Sequence, residues 1–261
     1  MECMIRTTPS HQPVIAVRGL RKAFGPKVAV ADVSFAVDAG EIFGLLGPNG
    51  AGKTTTVECI SGMLESDDGG ISVLGRHPSQ EGTVLRSLVG YQMQTSALPS
   101  TLRVEEALRV FASFYPKPAA VPELLDTVGL THRRKAAFSA LSGGERQRLS
   151  IALALIGNPR VAILDELTTG LDPQGRRDVW ALVERIRASG ITVLLVSHFL
   201  DEVERLCDRL AIIADGRTIF DGTPEHLIAR AAEANPEIDN LEDAYLALVD
   251  ANQTHYEGAS A

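Results

Sequence analysis

The sequence predicts an α/β chain: a mainly parallel central sheet, an antiparallel β subdomain near the N-terminus and an inserted α-helical subdomain. Three observations carry this. Residues 42–46, 161–164 and 191–196 are nearly continuous apolar runs, as in strands buried on both faces of a parallel sheet. Each is followed by a segment with helical apolar spacing. Between the first two runs lies a long stretch, about residues 94–157, that is mostly helical in pattern.

Taken in order, residues 1–12 read as a flexible tail, and patterned sequence begins at residues 14–17. Residues 33–37 alternate apolar and polar, which marks a half-buried strand, and an antiparallel sheet at the edge of the domain is expected there. In the insertion Val104, Leu108, Phe111 and Phe114/Tyr115 recur at helical spacing, followed by helical patterns over 121–128 and 145–156. Asp172-Pro173 is an N-cap followed by proline at the first helical position, with Val179, Leu182, Val183 and Ile186 on one face and Gly190 as the stop. Two further helical patterns occupy 223–250, with Leu241, Ala244, Tyr245 and Leu248 on one face, and a polar tail is expected from about Asn252. The division expected is one domain over 13–230, with the helical subdomain inserted at about 94–157, and a helical extension and tail over 231–261.

The 261 residues carry 25 Lys+Arg against 33 Asp+Glu, a net charge of −8, and 45% of them are apolar. That composition supports a full core and excludes disorder for most of the chain. Without a Lys/Arg-rich block, the chain lacks the footprint that non-specific nucleic-acid binding requires, so no nucleic-acid partner is expected. The longest apolar runs fall well short of the roughly 18 residues that span a bilayer. No secretory core precedes residue 13, and the odd count of three cysteines fits a reducing cytosol.

Gly47-Pro48-Asn49-Gly50-Ala51-Gly52-Lys53-Thr54 fits the pattern G-x-x-x-x-G-K-[ST], directly after a buried strand and opening a helix. Gly47, Gly50 and Gly52 let the backbone wrap a polyphosphate with N–H donors at a positive helix end. Lys53 is expected to reach the β- and γ-phosphates, Thr54 to place its hydroxyl on Mg²⁺ and Thr55 to support the α-phosphate side. Residues 161–166 then form a buried strand ending in two acids, Asp165 and Glu166. Because neighbouring strand side chains diverge, Asp165 is expected to hold Mg²⁺ through water while Glu166 faces a water attacking the γ-phosphate. The core is therefore that of a P-loop NTPase in fold, and up to this point a kinase, a GTPase or a motor would fit it equally.

The segment Leu141-Ser-Gly-Gly-Glu-Arg-Gln-Arg148 opens with a capping box, S-x-x-E, and two glycines that expose backbone N–H groups at a helix start, a second anion site. It resembles the LSGGQ signature of ATP-binding-cassette (ABC) ATPases. That family's remaining order is also present: an aromatic at Phe24, Gln94 after a Gly-Tyr pair, Thr168-Thr-Gly-Leu-Asp172 after the acids, and Ser197-His198 after the third apolar run. The resemblance covers about residues 13–230. It implies ATP and Mg²⁺ as cofactors and a head-to-tail dimer, with itself or a homologous cassette. In that dimer Ser142, Gly143 and Gly144 close on the γ-phosphate held by the other subunit's Lys53. It further implies that Gln94 touches Mg²⁺ or the attacking water, that His198 contacts the γ-phosphate and orients it with Glu166, that Asp172 shapes the dimer contact and that Phe24 stacks on adenine.

Three positions depart from the family's commonest pattern: Glu145 for Gln, Leu167 for Pro and Phe24 for Tyr. A carboxylate at Glu145 favours the helix dipole yet opposes a docking γ-phosphate, so it is expected to weaken ATP-driven closure. Residues 197–208 and 240–248 look like the ATPases of ABC-2-type and multidrug exporters. The resemblance thus implies an export motor for drug-like, antibiotic-like or lipid-like compounds. It would sit in the cytoplasm on the inner face of the membrane through a separate transmembrane permease. An importer ATPase and a non-transport assembly ATPase of the iron–sulfur type are the alternatives.

Overall fold

The computed structural model describes residues 12–92 and 98–258, with side chains through Asn252. The chain opens with β1 (Ile15–Phe24) and β2 (Lys27–Val37), then β3 (Ile42–Leu46) leads into α1 (Lys53–Ile60). β4 (Asp68–Val73), α2 (Pro78–Leu85) and β5 (Val89–Gln92) follow, before the helices α3 (Val104–Ala112), α4 (Val121–Thr127) and α5 (Gly143–Leu155). β6 (Val161–Asp165), α6 (Pro173–Ala188), β7 (Thr192–Val196) and α7 (Leu200–Leu206) alternate, and the hairpin β8 (Arg209–Ala214) and β9 (Arg217–Gly222) precedes α8 (Pro224–Ala234) and α9 (Leu241–Gly258).

Among the described residues the strands form one nine-stranded sheet in the order β4-β1-β2-β9-β8-β3-β7-β6-β5. β8, β3, β7, β6 and β5 are mutually parallel, with Ile42 opposite Val193 and Ala162 opposite Val193 on the other side. β4, β1 and β2 pair antiparallel, and a single parallel pair, Asp32 with Arg217, joins them to the rest. The α/β class with an antiparallel N-terminal group is therefore as the apolar runs predict.

Those runs are continuous because both faces of the central strands are covered. Along β6, Val161 and Ile163 pack with α1 and the antiparallel strands, while Ala162 and Leu164 pack with the helices on the other face. Phe43 and Leu45 of β3 repeat the first set, Ile42 and Leu46 the second. The period-2 geometry of a strand thus distributes one apolar run between two cores.

Two expectations are corrected. Phe114 does not continue the buried face of α3: the helix ends at Ala112, its buried side chains are Val104, Ala107 and Leu108, and Phe114 is 72% exposed. The polar tail expected from Asn252 is instead helical, since α9 runs to Gly258. Residues 252–257 contain neither Gly nor Pro to break it. Among the described residues no helix is long and apolar enough to cross a membrane.

Candidate functional site

β3 ends at Leu46 and residues 47–52 turn the chain into α1. Gly47 (φ +151°) and Gly52 (φ +103°) shape that turn. A Cβ on Gly47 would lie 2.0 Å from the Ile213 carbonyl oxygen, and one on Gly52 2.5 Å from that of Ala29. The loop is therefore seated against β8 on one side and β2 on the other, with no room for a side chain at either contact. No side chain caps α1 at Gly52, so its first N–H groups are left for an anionic ligand.

Lys53 is the first residue of α1, and its Nζ donates to the Gly47 oxygen at 2.6 Å and the Pro48 oxygen at 3.0 Å. Burial lowers its pKa, against the pull of Glu166 and Asp165. Phe24, Asn49, Gly50, Gly52, Lys53, Thr54, Thr55, Asp165, Glu166 and His198 line one cleft of about 510 Å³, a size typical of small-molecule sites. Pro48 and Ala51 act behind it: the Pro48 oxygen accepts from the Ala51 N–H at 3.2 Å, and the Ala51 oxygen accepts from Gly216 N–H at 3.1 Å. Phe24, 50% exposed, stands at the mouth with Lys22 Nζ 5.8 Å from its ring centre.

Asp165 ends β6 almost fully buried, and its N–H donates to Gln92 Oε1 at 3.0 Å. Desolvation, reinforced by Glu166 and opposed by Lys53, pushes its carboxyl up to about 6. Glu166 leaves the strand with φ +49°, a left-handed conformation rare for a non-glycine residue. The strand alternation that would make the two acids diverge therefore stops at Asp165, and both reach the same cleft. Glu166 N–H donates to the Val196 oxygen at 2.9 Å, tying the ends of β6 and β7. His198, just beyond β7, brings Nδ1 to 3.3 Å from Glu166 Oε1.

Ser142, Gly143, Gly144 and Asp172 line a different cleft of about 440 Å³ that shares no lining residue with the first. Ser142 caps α5: its Oγ accepts from Glu145 N–H at 3.2 Å while its own N–H donates to Glu145 Oε2 at 2.9 Å. The capping box forms as its spacing predicts. Asp172 caps α6 through Gly175 N–H at 2.7 Å. Gln94 lies outside the described residues.

A family model described as "ABC transporter" matches residues 30–169. The chain belongs to the ABC transporter family. Nod factor export ATP-binding protein I of Ralstonia nicotianae is 43% identical over 221 residues, covering 83% of this chain and 69% of that protein. A solved ATP-binding subunit of an ABC transporter superposes with a TM-score of 0.80 at 30% identity, over 90% of this chain and 99% of that one. The ADP conformation of an ATP-binding cassette of an ABC transporter matches with a TM-score of 0.75 at 26% identity, over 90% and 99%. This ABC cassette is an ATP-binding subunit that hydrolyses ATP, with Mg²⁺ as cofactor, coupled to transport.

The residues of the first cleft suit Mg²⁺, which takes one or two carboxylates together with substrate phosphates instead of an all-protein cage. Asp165 and the Thr54 hydroxyl offer that donor set, and a carboxyl raised by burial beside a second carboxylate is a place where a cation restores ionisation. Several residues of this ABC cassette escape sequence reasoning. Gln92 is buried against the Asp165 backbone; Lys27 lines the cleft because the β1–β2 turn sets it opposite Phe24; Glu202 is buried beside the His198 turn. Lys27 alone had a signal, the Gly25-Pro26 turn.

Proposed function

We propose that this chain is the ATP-driven motor of an ABC exporter, working as a head-to-tail pair of cassettes beneath a separate transmembrane permease that selects the cargo. The observation that carries this reading is the presence of two phosphate-type sites with no residue in common. One bears the lysine, the hydroxyls and the acids; the other bears an exposed helix start with two glycines. Each cleft is half of a complete site, which a second cassette supplies in reverse order. The export assignment draws on the Ralstonia relative, a Nod factor export ATP-binding protein. In this reading the chain sits at the inner face of the membrane through the permease, and nucleic acid has no part in its work.

In this reading Gly47, Gly50 and Gly52 give the loop its close approach to the phosphates. Lys53 turns its ammonium from the loop carbonyls to the β- and γ-phosphates, and Thr55 supports the α-phosphate side. Thr54 and Asp165 hold Mg²⁺, which neutralises phosphate charge, and Gln94 senses it. Phe24 receives the adenine. Glu166 accepts a proton from water as the water oxygen bonds to the γ-phosphorus and the bond to the ADP oxygen breaks. His198, engaged by Glu166 through Nδ1, presents its opposite ring edge to the γ-phosphate. Ser142, Gly143 and Gly144 close on the partner cassette's nucleotide, with Asp172 at the contact.

E166Q is expected to bind a fluorescent ATP analogue within about twofold of the parent and to lose roughly 10²–10⁴-fold in hydrolysis, the usual contribution of a general base. K53A loses both binding and hydrolysis. An E166Q chain that hydrolyses ATP at the parent rate overturns the assignment of the base.

A further inference from the structure

Glu145 places a carboxylate in the first turn of α5, beside the glycines at which an anion is to dock. It is not an isolated charge. Arg133, from the turn after α4, sets Nη2 3.3 Å from Glu145 Oε2. Its buried Nε lies 3.0 Å from Oε1, in a charge contact without hydrogen-bond alignment. The same Nη2 donates to the Ala140 oxygen at 2.5 Å, bracing the segment that leads into Ser142. His132 Nε2 stands 3.9 Å from Glu145 Oε1. The Glu145 side chain is only 16% exposed, so the pair is partly shielded from solvent. Desolvation pushes the Glu145 carboxyl up, but the Ser142 N–H and Arg133 outweigh it and hold it below the usual carboxylate range. The acid therefore stays ionised, with Arg133 as its nearest cation and Arg148, in the same cleft, as a further favourable charge.

We propose that Arg133 is a positioning residue for nucleotide closure: it neutralises Glu145 and, through the relay Arg133–Glu145–Ser142, holds the start of α5 in the geometry that receives the partner's γ-phosphate. This rests on the paired-cassette reading above and deepens it. It also revises the expectation that Glu145 by itself hinders closure, because the phosphate meets a paired carboxylate. With Arg133 removed, the carboxylate would lose its nearest cation and repel the incoming phosphate more strongly, and the brace on Ala140 would be lost. With Glu145 made neutral, the guanidinium would be left as an attractive charge near the docking phosphate.

The test is ATP–Mg²⁺ titration of the full chain in the E166Q background, with dimer fraction read by light scattering. R133A is expected to raise the ATP concentration at half-dimerisation about fivefold, the size of a partly exposed charge interaction. E145Q is expected to lower it, and R133A/E145Q, which carries neither charge, to lie above E145Q and within about twofold of the parent. Binding of the fluorescent ATP analogue to the monomer stays unchanged in all of them. An E145Q half-point that is not lowered leaves Arg133 a plain structural brace and overturns the proposal, as does an R133A half-point equal to the parent's. Because E145Q alone reports the charge effect, the test stands even if R133A folds poorly. Failure of the E166Q parent to dimerise at any ATP concentration sinks the paired-cassette reading and this inference with it.

Discussion

Gly47 and Gly50 occupy the same loop but answer to different demands. Both have left-handed backbone, with φ +151° and +83°. A Cβ on Gly50 would meet nothing within 4 Å, whereas one on Gly47 would strike the Ile213 carbonyl oxygen at 2.0 Å. G50A should therefore cost about 1–2 kcal/mol of backbone strain. G47A must also displace β8 and should cost at least about 3 kcal/mol. For a chain of this size that separates the two melting temperatures by several degrees, at roughly 2–4 °C per kcal/mol; scanning calorimetry giving equal losses would contradict the account. The loop itself was legible from the spacing of its glycines and Lys53. Which glycine the fold cannot spare was not, because the obstructing oxygen belongs to a strand far along the chain. Gln92 was hidden for the same reason: its partner, the Asp165 N–H, comes from the adjacent strand.

At the scale of elements, β7 delivers His198 through a turn that its own residues lock. Ser197 Oγ donates to Glu202 Oε2 at 2.5 Å and accepts from Phe199 N–H at 3.0 Å, and Trp180 Nε1 reaches Glu202 Oε1 at 3.4 Å. Glu202 is fully buried, and that burial raises its carboxyl pKa although the bonds from Ser197 and Trp180 pull it down. A raised carboxyl contributes stability that is full below the ordinary carboxylate range and is lost as pH rises through the raised value. E202Q does not titrate, so its melting temperature relative to the parent should climb from acid to neutral pH. A difference that stays flat across that range contradicts the burial of an ionisable group there. The strands β3, β6 and β7 were readable because burial on both faces leaves an unbroken apolar run. β5 was not, since its four residues carry too little pattern. The β8–β9 hairpin did carry a signal, Asp215-Gly216, whose positive φ angles of +48° and +71° suit a tight two-residue turn. Phe114 failed the opposite way: its spacing matched a helix that had already ended.

For the whole molecule, the central relation is between two clefts that a single chain keeps apart. The loop side is built on the sheet, with α1 on one face and the ends of β6 and β7 beside it; the signature side is built on the starts of α5 and α6. Motif order along the chain marks both glycine-bearing segments, but only the folded structure shows that they line separate clefts. Hydrolysis at paired sites can do mechanical work only if closure is transmitted to another body. That body is proposed to be a separate transmembrane permease. The most direct test is to purify the tagged chain from its native membrane in mild detergent and identify by mass spectrometry what accompanies it. The account predicts a polytopic membrane protein in stable association, with cassettes present in pairs. Recovery of the chain away from the membrane, alone or with only soluble partners, would leave the ATP site standing and contradict its role as an export motor.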